Sequence, residues 1–397
     1  MRDDRVIIAG AGPVGVMAAL ALARQGLRVT VVDADPVPNM SPRAIVYLHP
    51  LLPDLDRLGI LDDMKAQGHL DREGFNMHVV ALGEVLSAPF EVLDGLTPTP
   101  YNIHLGQGEF TTLVVEHLRR LGVDVRWGTR VVGLAQDADG VDVTVETADG
   151  RETLRGEWLV GADGGRSTVR ELIGATLDGF TWDDRFVATN LRADLRSRGF
   201  RSSNLYVHPT HAAVIADIDG KGTWRCTFQE SDALSEDTIE QRIDEFYRGL
   251  WGEDFEFELV GYRPYRMHQR LASKMRDGRV VLIGDAAHLT NPTGGLGLTT
   301  GLYDVLALEE VLPAVARGEV DASVLDLWAN ERARMFSEVS SPIASSLKRI
   351  VYGNVPIDEL REATQYQRTM TSTIEGQREL LLGLDAIRSP SILAMAK

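Results

Sequence analysis

Arg5-Val6-Ile7-Ile8-Ala9-Gly10-Ala11-Gly12-Pro13-Val14-Gly15 stands near the start of the chain, and Leu27-Arg28-Val29-Thr30-Val31-Val32-Asp33 follows it. The run from Arg5 to Ala9 is short and apolar, which predicts a buried parallel strand. Val14 to Gln25 is Ala-rich and closed by Gly26, the pattern of a helix and its stop signal. Leu27 to Val32 predicts a second strand, so the whole reads as a βαβ unit. Gly10, Gly12 and Gly15 keep the spacing G-x-G-x-x-G between the first strand and the helix. Gly10 permits the tight turn, Gly12 lets a pyrophosphate approach the backbone, and Gly15 lets the helix pack close to the sheet. The helix start around Pro13 and Val14 offers free N–H groups and a positive dipole end to phosphates. Asp33, with Ala34 beside it, closes the second strand where a ribose 2′-OH would donate. Strand, helix, second strand and acid all fall where dinucleotide binding requires them, although this motif alone does not choose between NAD and FAD.

The rest of the composition narrows the class. The chain has 397 residues, a formal charge of −17 and one cysteine, Cys226. That length predicts two closely packed domains, or one large domain with an inserted lobe. An acidic chain is a poor partner for a phosphate backbone, so nucleic acid is not expected. A lone cysteine makes neither an internal disulfide nor a dithiol redox pair, and Cys226 reads as a small core residue. The nine histidines show no metal-ligand spacing, so no metal is expected. Val6 to Ala23 is apolar but broken by glycines and preceded by Asp3 and Asp4, the wrong sign for a secretory leader. No other stretch approaches the ~20 apolar residues of a membrane span. A cytoplasmic protein, monomeric or homodimeric, is expected.

Further along, Asp35 to Arg43 reads as a loop, and Gln107 to Leu121 as an amphipathic helix. Val123 to Arg126 resumes the strands. Val141 to Val145 alternates cleanly and is followed by the hairpin signal Asp149-Gly150. From Phe180 to Phe228 the pattern becomes one of short alternating strands, such as Leu205-Tyr206-Val207 and Thr223 to Phe228, which predicts an antiparallel lobe. The parallel-strand style returns at Val280 to Ile283, and the chain after Ser323 is mostly helical.

Two more motifs follow strands. Leu159-Val160-Gly161-Ala162-Asp163-Gly164-Gly165-Arg166-Ser167 runs from an apolar strand into an Asp-Gly turn. Gly278 to His288 is a strand ending in Gly284-Asp285, and Pro292-Thr293-Gly294-Gly295-Leu296-Gly297-Leu298 leads into a helix reaching about Val315. Asp285 is placed to accept from a ribityl or ribose hydroxyl. The glycines let backbone N–H groups reach the polar edge of a flat ring.

With these residues the chain resembles the single-component flavoprotein aromatic hydroxylases of the para-hydroxybenzoate hydroxylase type. Their three fingerprints match Gly10 to Gly15, Asp163-Gly164 and Gly284-Asp285, in order. The resemblance implies an α/β fold: a Rossmann-like FAD-binding domain with an interleaved antiparallel-sheet substrate domain and C-terminal helices. The implied parts are 1–70, 100–179 and 275–320 for FAD, 71–99 and 180–274 for substrate, and 321–397 as the helical region. It further implies flavin contacts from Arg43, Gln107, Val131, Gly295, Gly297 and Leu298. Pro292, with its carbonyl near the reacting centre, is the one implied catalytic position. Where relatives often carry G-Q-G-M-N, this chain has Gly295-Leu296-Gly297-Leu298-Thr299, so the Asn contact is replaced by Thr299.

The implied chemistry is the flavin's. NADH or NADPH docks transiently, in part on Asp163 to Arg166, and reduces tightly bound FAD. O2 then gives a C4a-hydroperoxide that hydroxylates an electron-rich small molecule, expected to be aromatic. Candidates for holding or deprotonating it are Tyr206, His208, His211 and Arg225, with Tyr265 and His268 at the end of the lobe. Strand residues alternate faces, so about half of such a set should point away from the site. His288 reads as a structural hydrogen-bonder, and the charged helix around Leu325 to Arg334 as a cover for the sheet or a subunit contact. An epoxidase or Baeyer-Villiger-type oxygenase, a prenyl-type reductase and a flavin-binding interaction protein stay open on the same scaffold. The chain lacks the W-x-W signature of flavin halogenases.

Overall fold

The computed structural model describes residues 5–397. Arg5–Ala9 lies inside a six-stranded sheet, flanked by Arg28–Val32 on one side and Trp158–Gly161 on the other, both parallel to it. Asp124–Arg126 extends the first side and Val280–Leu282 the second, again in parallel, while Arg276–Asp277 closes that edge antiparallel. The chain thus winds away from the central strand in both directions. This opens a crevice at the carboxyl ends of Arg5–Ala9 and Trp158–Gly161, the switch point where such sheets take ligands. Helix Pro13–Arg24 packs against both Gln107–Arg120 and Leu296–Ala316 on this sheet. The hairpin expected at Asp149-Gly150 is present: Val141–Thr147 pairs antiparallel with Gly150–Gly156, and Arg130–Gln136 completes a three-stranded sheet sharing the same core.

The second large sheet has eight strands, in the order His288–Leu289, Glu258–Ala272, Leu177–Arg192, Thr223–Ser231, Ala213–Asp217, Ser203–Val207, Phe75–Val79, Glu84–Ala88. Its pairings are antiparallel except for one, Phe75–Val79 against Ser203–Val207, which an all-antiparallel reading of the lobe does not foresee. That parallel pairing arises because a strand from the early chain is inserted beside a later one. The register sets Asn190 opposite Arg225 and Gly261, and Phe186 opposite Tyr265. Side chains alternate faces along each strand. Trp224, Cys226, Phe228 and Ile215 therefore face helix Ile239–Trp251. Arg225 and its in-register neighbours face the other way. On that side the apolar residues Phe186, Leu205 and Met267 meet Ile350, Val351 and Tyr352 of helix Ser341–Tyr352.

One segment joins the two sheets. Val280–Leu282 belongs to the parallel sheet and His288–Leu289 to the antiparallel one, so the Gly284-Asp285 turn sits at their junction. Beyond Ser323 the chain is mostly helical, beginning with Val324–Met335, a π-helical turn at Phe336–Ser340, and Ser341–Tyr352. Among the described residues no helix is long and apolar enough to cross a membrane.

Candidate active site

The three loop glycines divide by what a side chain would meet. Gly10 has φ +104°, and a Cβ there would lie 2.3 Å from the carbonyl oxygen of Ala162. A Cβ on Gly15 would lie 1.9 Å from the carbonyl oxygen of Gly10. Both are glycine because the protein itself leaves no room. A Cβ on Gly12 would meet nothing within 4 Å, so this glycine opens onto free space beside the helix start. Pro13 is the first residue of that helix, and no side chain caps its first turn, leaving its amide N–H groups directed at the same space. Asp33 accepts hydrogen bonds from Ala11 N (2.5 Å) and Asp35 N (2.8 Å). Burial raises its pKa, and those two N–H donors oppose the rise. Each oxygen keeps a lone pair for a ligand hydroxyl. Ala34 is exposed beside it. Val131 is buried in the core, so only its main chain is left for a ligand.

The Asp-Gly motif also has a structural role that its spacing does not show. Asp163 Oδ1 accepts from Ser167 Oγ (2.5 Å) and Oδ2 from Val169 N (3.0 Å), so its carboxylate holds the start of helix Thr168–Leu172. Arg170 donates to the carbonyls of Ala286 (3.0 Å) and Gly165 (2.9 Å), tying this motif to the Gly284-Asp285 turn. Asp163 thus builds the crevice wall, and each of its oxygens keeps a lone pair, as those of Asp33 do.

Asp285 is solvent-accessible, yet it stands within a protein-walled crevice. Enclosure raises its pKa, with His288 and Arg43 opposing. Leu296–Ala316 begins after Gly295 (φ +67°), again with no side-chain cap. A Cβ on Gly295 would meet nothing within 4 Å, and one on Gly297 only Thr290 Cγ2 at 3.5 Å. Leu298 is buried, and Thr299 Oγ1 donates to the Gly295 carbonyl (3.1 Å), so the Thr that replaces the family's Asn is turned into its own helix. The Pro292 carbonyl accepts Gly295 N (2.9 Å) and closes the turn into this helix. His288 Nε2 donates to Asp304 Oδ2 (2.7 Å), the structural role read from sequence. Gln107 opens its helix half-buried and Arg43 is exposed; neither side chain makes a hydrogen bond among the described residues.

The four substrate candidates part company. Arg225 is buried on the face turned toward the crevice. It donates through Nε to Asn190 Oδ1 (2.6 Å) and through Nη1 to the Arg43 carbonyl. No carboxylate pairs with it among the described residues, and burial lowers its pKa to about 10, with Tyr265 and Glu109 opposing. Tyr206 lies on the opposite face, its ring stacked 5.9 Å from His208, and His211 lies against Phe246 of the outer helix. Strand alternation and the following turn carry these three away from Asp285. Sequence reasoning missed Arg263, which neighbours Arg225 electrostatically through Tyr265 and donates to Ser41 Oγ (2.5 Å). Its signal was the i, i+2 spacing with Tyr265. Burial pushes the Tyr265 phenol far up, against the pull of Arg225 and Arg263.

Two uncapped helix starts, two glycines open to space, carboxylates at two strand ends, and the Arg43 and Gln107 side chains, which make no hydrogen bond among the described residues, belong to these loops. That donor set fits a flat dinucleotide with a pyrophosphate, and the fold around it is a Rossmann-like FAD-binding scaffold. The chain belongs to the single-component FAD-dependent aromatic hydroxylase family: the family model described as "FAD binding domain" matches residues 3–341. The protein is a flavoprotein monooxygenase. It is 40% identical over 392 residues, 98% of each chain, to 6-hydroxy-3-succinoylpyridine 3-monooxygenase HspB of Pseudomonas putida (strain DSM 28022 / S16). It is 36% identical over 395 residues to para-nitrophenol 4-monooxygenase of Pseudomonas sp. (strain WBC-3), covering 98% of this chain and 97% of the relative. The crystal structure of p-nitrophenol 4-monooxygenase PnpA from Pseudomonas putida DLL-E4 superposes with a TM-score of 0.91 at 35% identity, covering 97% of this chain and 98% of that one.

Proposed function

We propose that this enzyme uses NADH or NADPH and O2 to hydroxylate a small, electron-rich aromatic or heteroaromatic ring that carries an acidic hydroxyl. The observation that carries this reading is Arg225: a buried guanidinium with no carboxylate ion-paired to it among the described residues, bonded to the carbonyl of Arg43, whose charge acts on Asp285. An isolated buried charge costs several kcal/mol and is relieved by an anion. A phenolate or hydroxypyridinate supplies one, and losing the hydroxyl proton also activates the ring. The names of the two relatives point to substrates of this kind.

When bound, FAD supplies electron transfer from NAD(P)H and activation of O2. The chain's own residues do the rest. Gly12 and the helix start at Pro13 and Val14 hold the pyrophosphate, and Asp33 takes a ribose hydroxyl. Asp285 takes a ribityl hydroxyl. Gln107, Arg43 and the main chain of Gly295 to Leu298 hold the flat ring. Arg225, Arg263 and Tyr265 orient the substrate from the antiparallel sheet, and closing the two sheets on it excludes water. In this division, 71–99 and 180–274 form the substrate side. Exposed Arg166 at the Asp-Gly turn meets the nicotinamide dinucleotide. The test is aerobic NAD(P)H consumption by FAD-loaded enzyme with nitrophenols, hydroxybenzoates and hydroxypyridines. The reading expects strong stimulation by rings whose hydroxyl ionises near neutral pH; one uniform slow rate with every ring contradicts it.

A further inference from the structure

A fully buried ion pair far along the chain bears on the same crevice. Arg332 lies on helix Val324–Met335, in the C-terminal region, and Asp304 on helix Leu296–Ala316; both are buried. Arg332 Nε donates to Asp304 Oδ1 at 2.8 Å. Its Nη2 donates to the Thr300 carbonyl (3.2 Å), in the opening turns of the helix whose N-terminus faces the crevice. Its Nη1 donates to the Ile387 carbonyl (3.0 Å) and Ser389 Oγ (2.9 Å), near the chain's end. The second oxygen of Asp304 accepts from Gly284 N (3.0 Å) and His288 Nε2 (2.7 Å). The His288 ring in turn stacks on Phe336, 4.8 Å away, in the π-helical turn. Thr300 Oγ1 donates to Ser340 Oγ (2.9 Å) in the same turn.

From this network we infer that Arg332 and Asp304 are positioning residues for the cofactor. One guanidinium holds both crevice walls: the start of the Leu296–Ala316 helix directly, and the Gly284-Asp285 turn through Asp304. The C-terminal helices are thereby part of the FAD-binding machinery rather than a cover over it. The geometry explains why a charged pair is kept in an apolar interior. Each oxygen of Asp304 and three nitrogens of Arg332 are hydrogen-bonded, so the desolvation cost of two charges is offset by bonds that join the Gly284-Asp285 turn, the opening turns of Leu296–Ala316 and the Ile387–Ser389 segment.

The inference rests on the FAD site assigned above, and the experiment separates the two. Arg332→Lys, Asp304→Asn and His288→Phe are compared with Trp224→Phe, a fold-loss control on the outer face of the antiparallel sheet. The readings are the FAD dissociation constant from flavin fluorescence, the visible circular dichroism of bound flavin, and the melting temperature of the apoprotein. The network variants are expected to weaken FAD binding tenfold or more and to change the flavin circular dichroism. Trp224→Phe, even with an equal melting loss, keeps FAD affinity within twofold. Wild-type affinity and circular dichroism in folded network variants overturn the inference, as does an affinity loss in Trp224→Phe that scales with its melting loss. Should Arg332→Lys or Asp304→Asn fail to fold, His288→Phe decides. It keeps the Arg332–Asp304 pair and an aromatic ring against Phe336 while removing one donor to Asp304, and is expected to weaken FAD at least threefold. Asp285→Ala tells the failures apart: if it alone loses FAD the network inference falls, and if it too binds normally the site assignment falls.

Discussion

Gly12→Ala and Gly15→Ala place one added methyl on two sides of the same loop, and the structure separates their consequences. Gly12 has φ −70° and ψ 176°, a conformation open to any residue, and its Cβ would meet nothing within 4 Å. The apoprotein should therefore change by less than about 0.5 kcal/mol, or gain ~0.4–1 kcal/mol from a stiffer unfolded chain. The same methyl enters the space a pyrophosphate needs. Overpacking of that size costs ~1–3 kcal/mol, or about five-fold to 150-fold in the FAD dissociation constant. At Gly15 the methyl would lie 1.9 Å from the Gly10 carbonyl oxygen. The helix must then retreat by about 1.5 Å to restore van der Waals separation. This costs the apoprotein ~1–3 kcal/mol, less the ~1 kcal/mol by which Ala exceeds Gly in a helix. Urea unfolding of the two apoproteins and a flavin fluorescence titration measure both effects. The reasoning is refuted if Gly12→Ala binds FAD like the wild type, or if it lowers apoprotein stability as much as Gly15→Ala does.

Other expectations follow from single groups. Asp285 has a folded-state pKa above its unfolded value. The folded apoprotein therefore binds more protons, and its stability falls as pH rises from the ordinary carboxylate range into the raised one. Asp285→Asn should remove that slope, raising the apoprotein melting temperature at neutral pH while weakening FAD retention; an unchanged melting profile speaks against the enclosed carboxylate. Burial pushes the Cys226 thiol up to about 12, so iodoacetamide at pH 8 should label it only after unfolding, and native labelling at the rate of a free thiol contradicts the packing. Arg225→Met should leave FAD bound but raise KM for an acidic phenol about tenfold or more, since a charge-assisted contact is lost; an unchanged KM removes Arg225 from the substrate site.

How much of this was legible beforehand follows from the range of each interaction. The βαβ unit, the glycine loop, Asp33 and the Gly284-Asp285 turn are local devices: a few consecutive residues contain both the group and the reason for it. The Asp163 carboxylate follows its strand as the spacing predicts, while its capping bonds to Ser167 and Val169 are a second role that spacing alone does not show. Tyr206 and Arg225 look equivalent as strand residues. Only the register of the eight-stranded sheet, with its inserted parallel strand, decides that one faces the outer helix and the other the crevice. The Arg332–Asp304 pair was hidden for a different reason. Arg332 sits in the charged stretch Glu331-Arg332-Ala333-Arg334, where Glu331 and Arg332 are buried and Arg334 is exposed, and nothing in the sequence there distinguishes which charges turn inward. Asp304 did carry a signal, as a lone carboxylate in the apolar run from Leu302 to Leu308, where an unpartnered charge would be costly.

The central claim is that the crevice supports insertion of one oxygen atom from O2 into a ring. FAD-loaded enzyme should be turned over under 18O2 with NAD(P)H and the ring that most stimulates NAD(P)H consumption, and the product weighed by mass spectrometry. The expected product carries one 18O atom. A product without label, or one that takes its oxygen from labelled water, contradicts it.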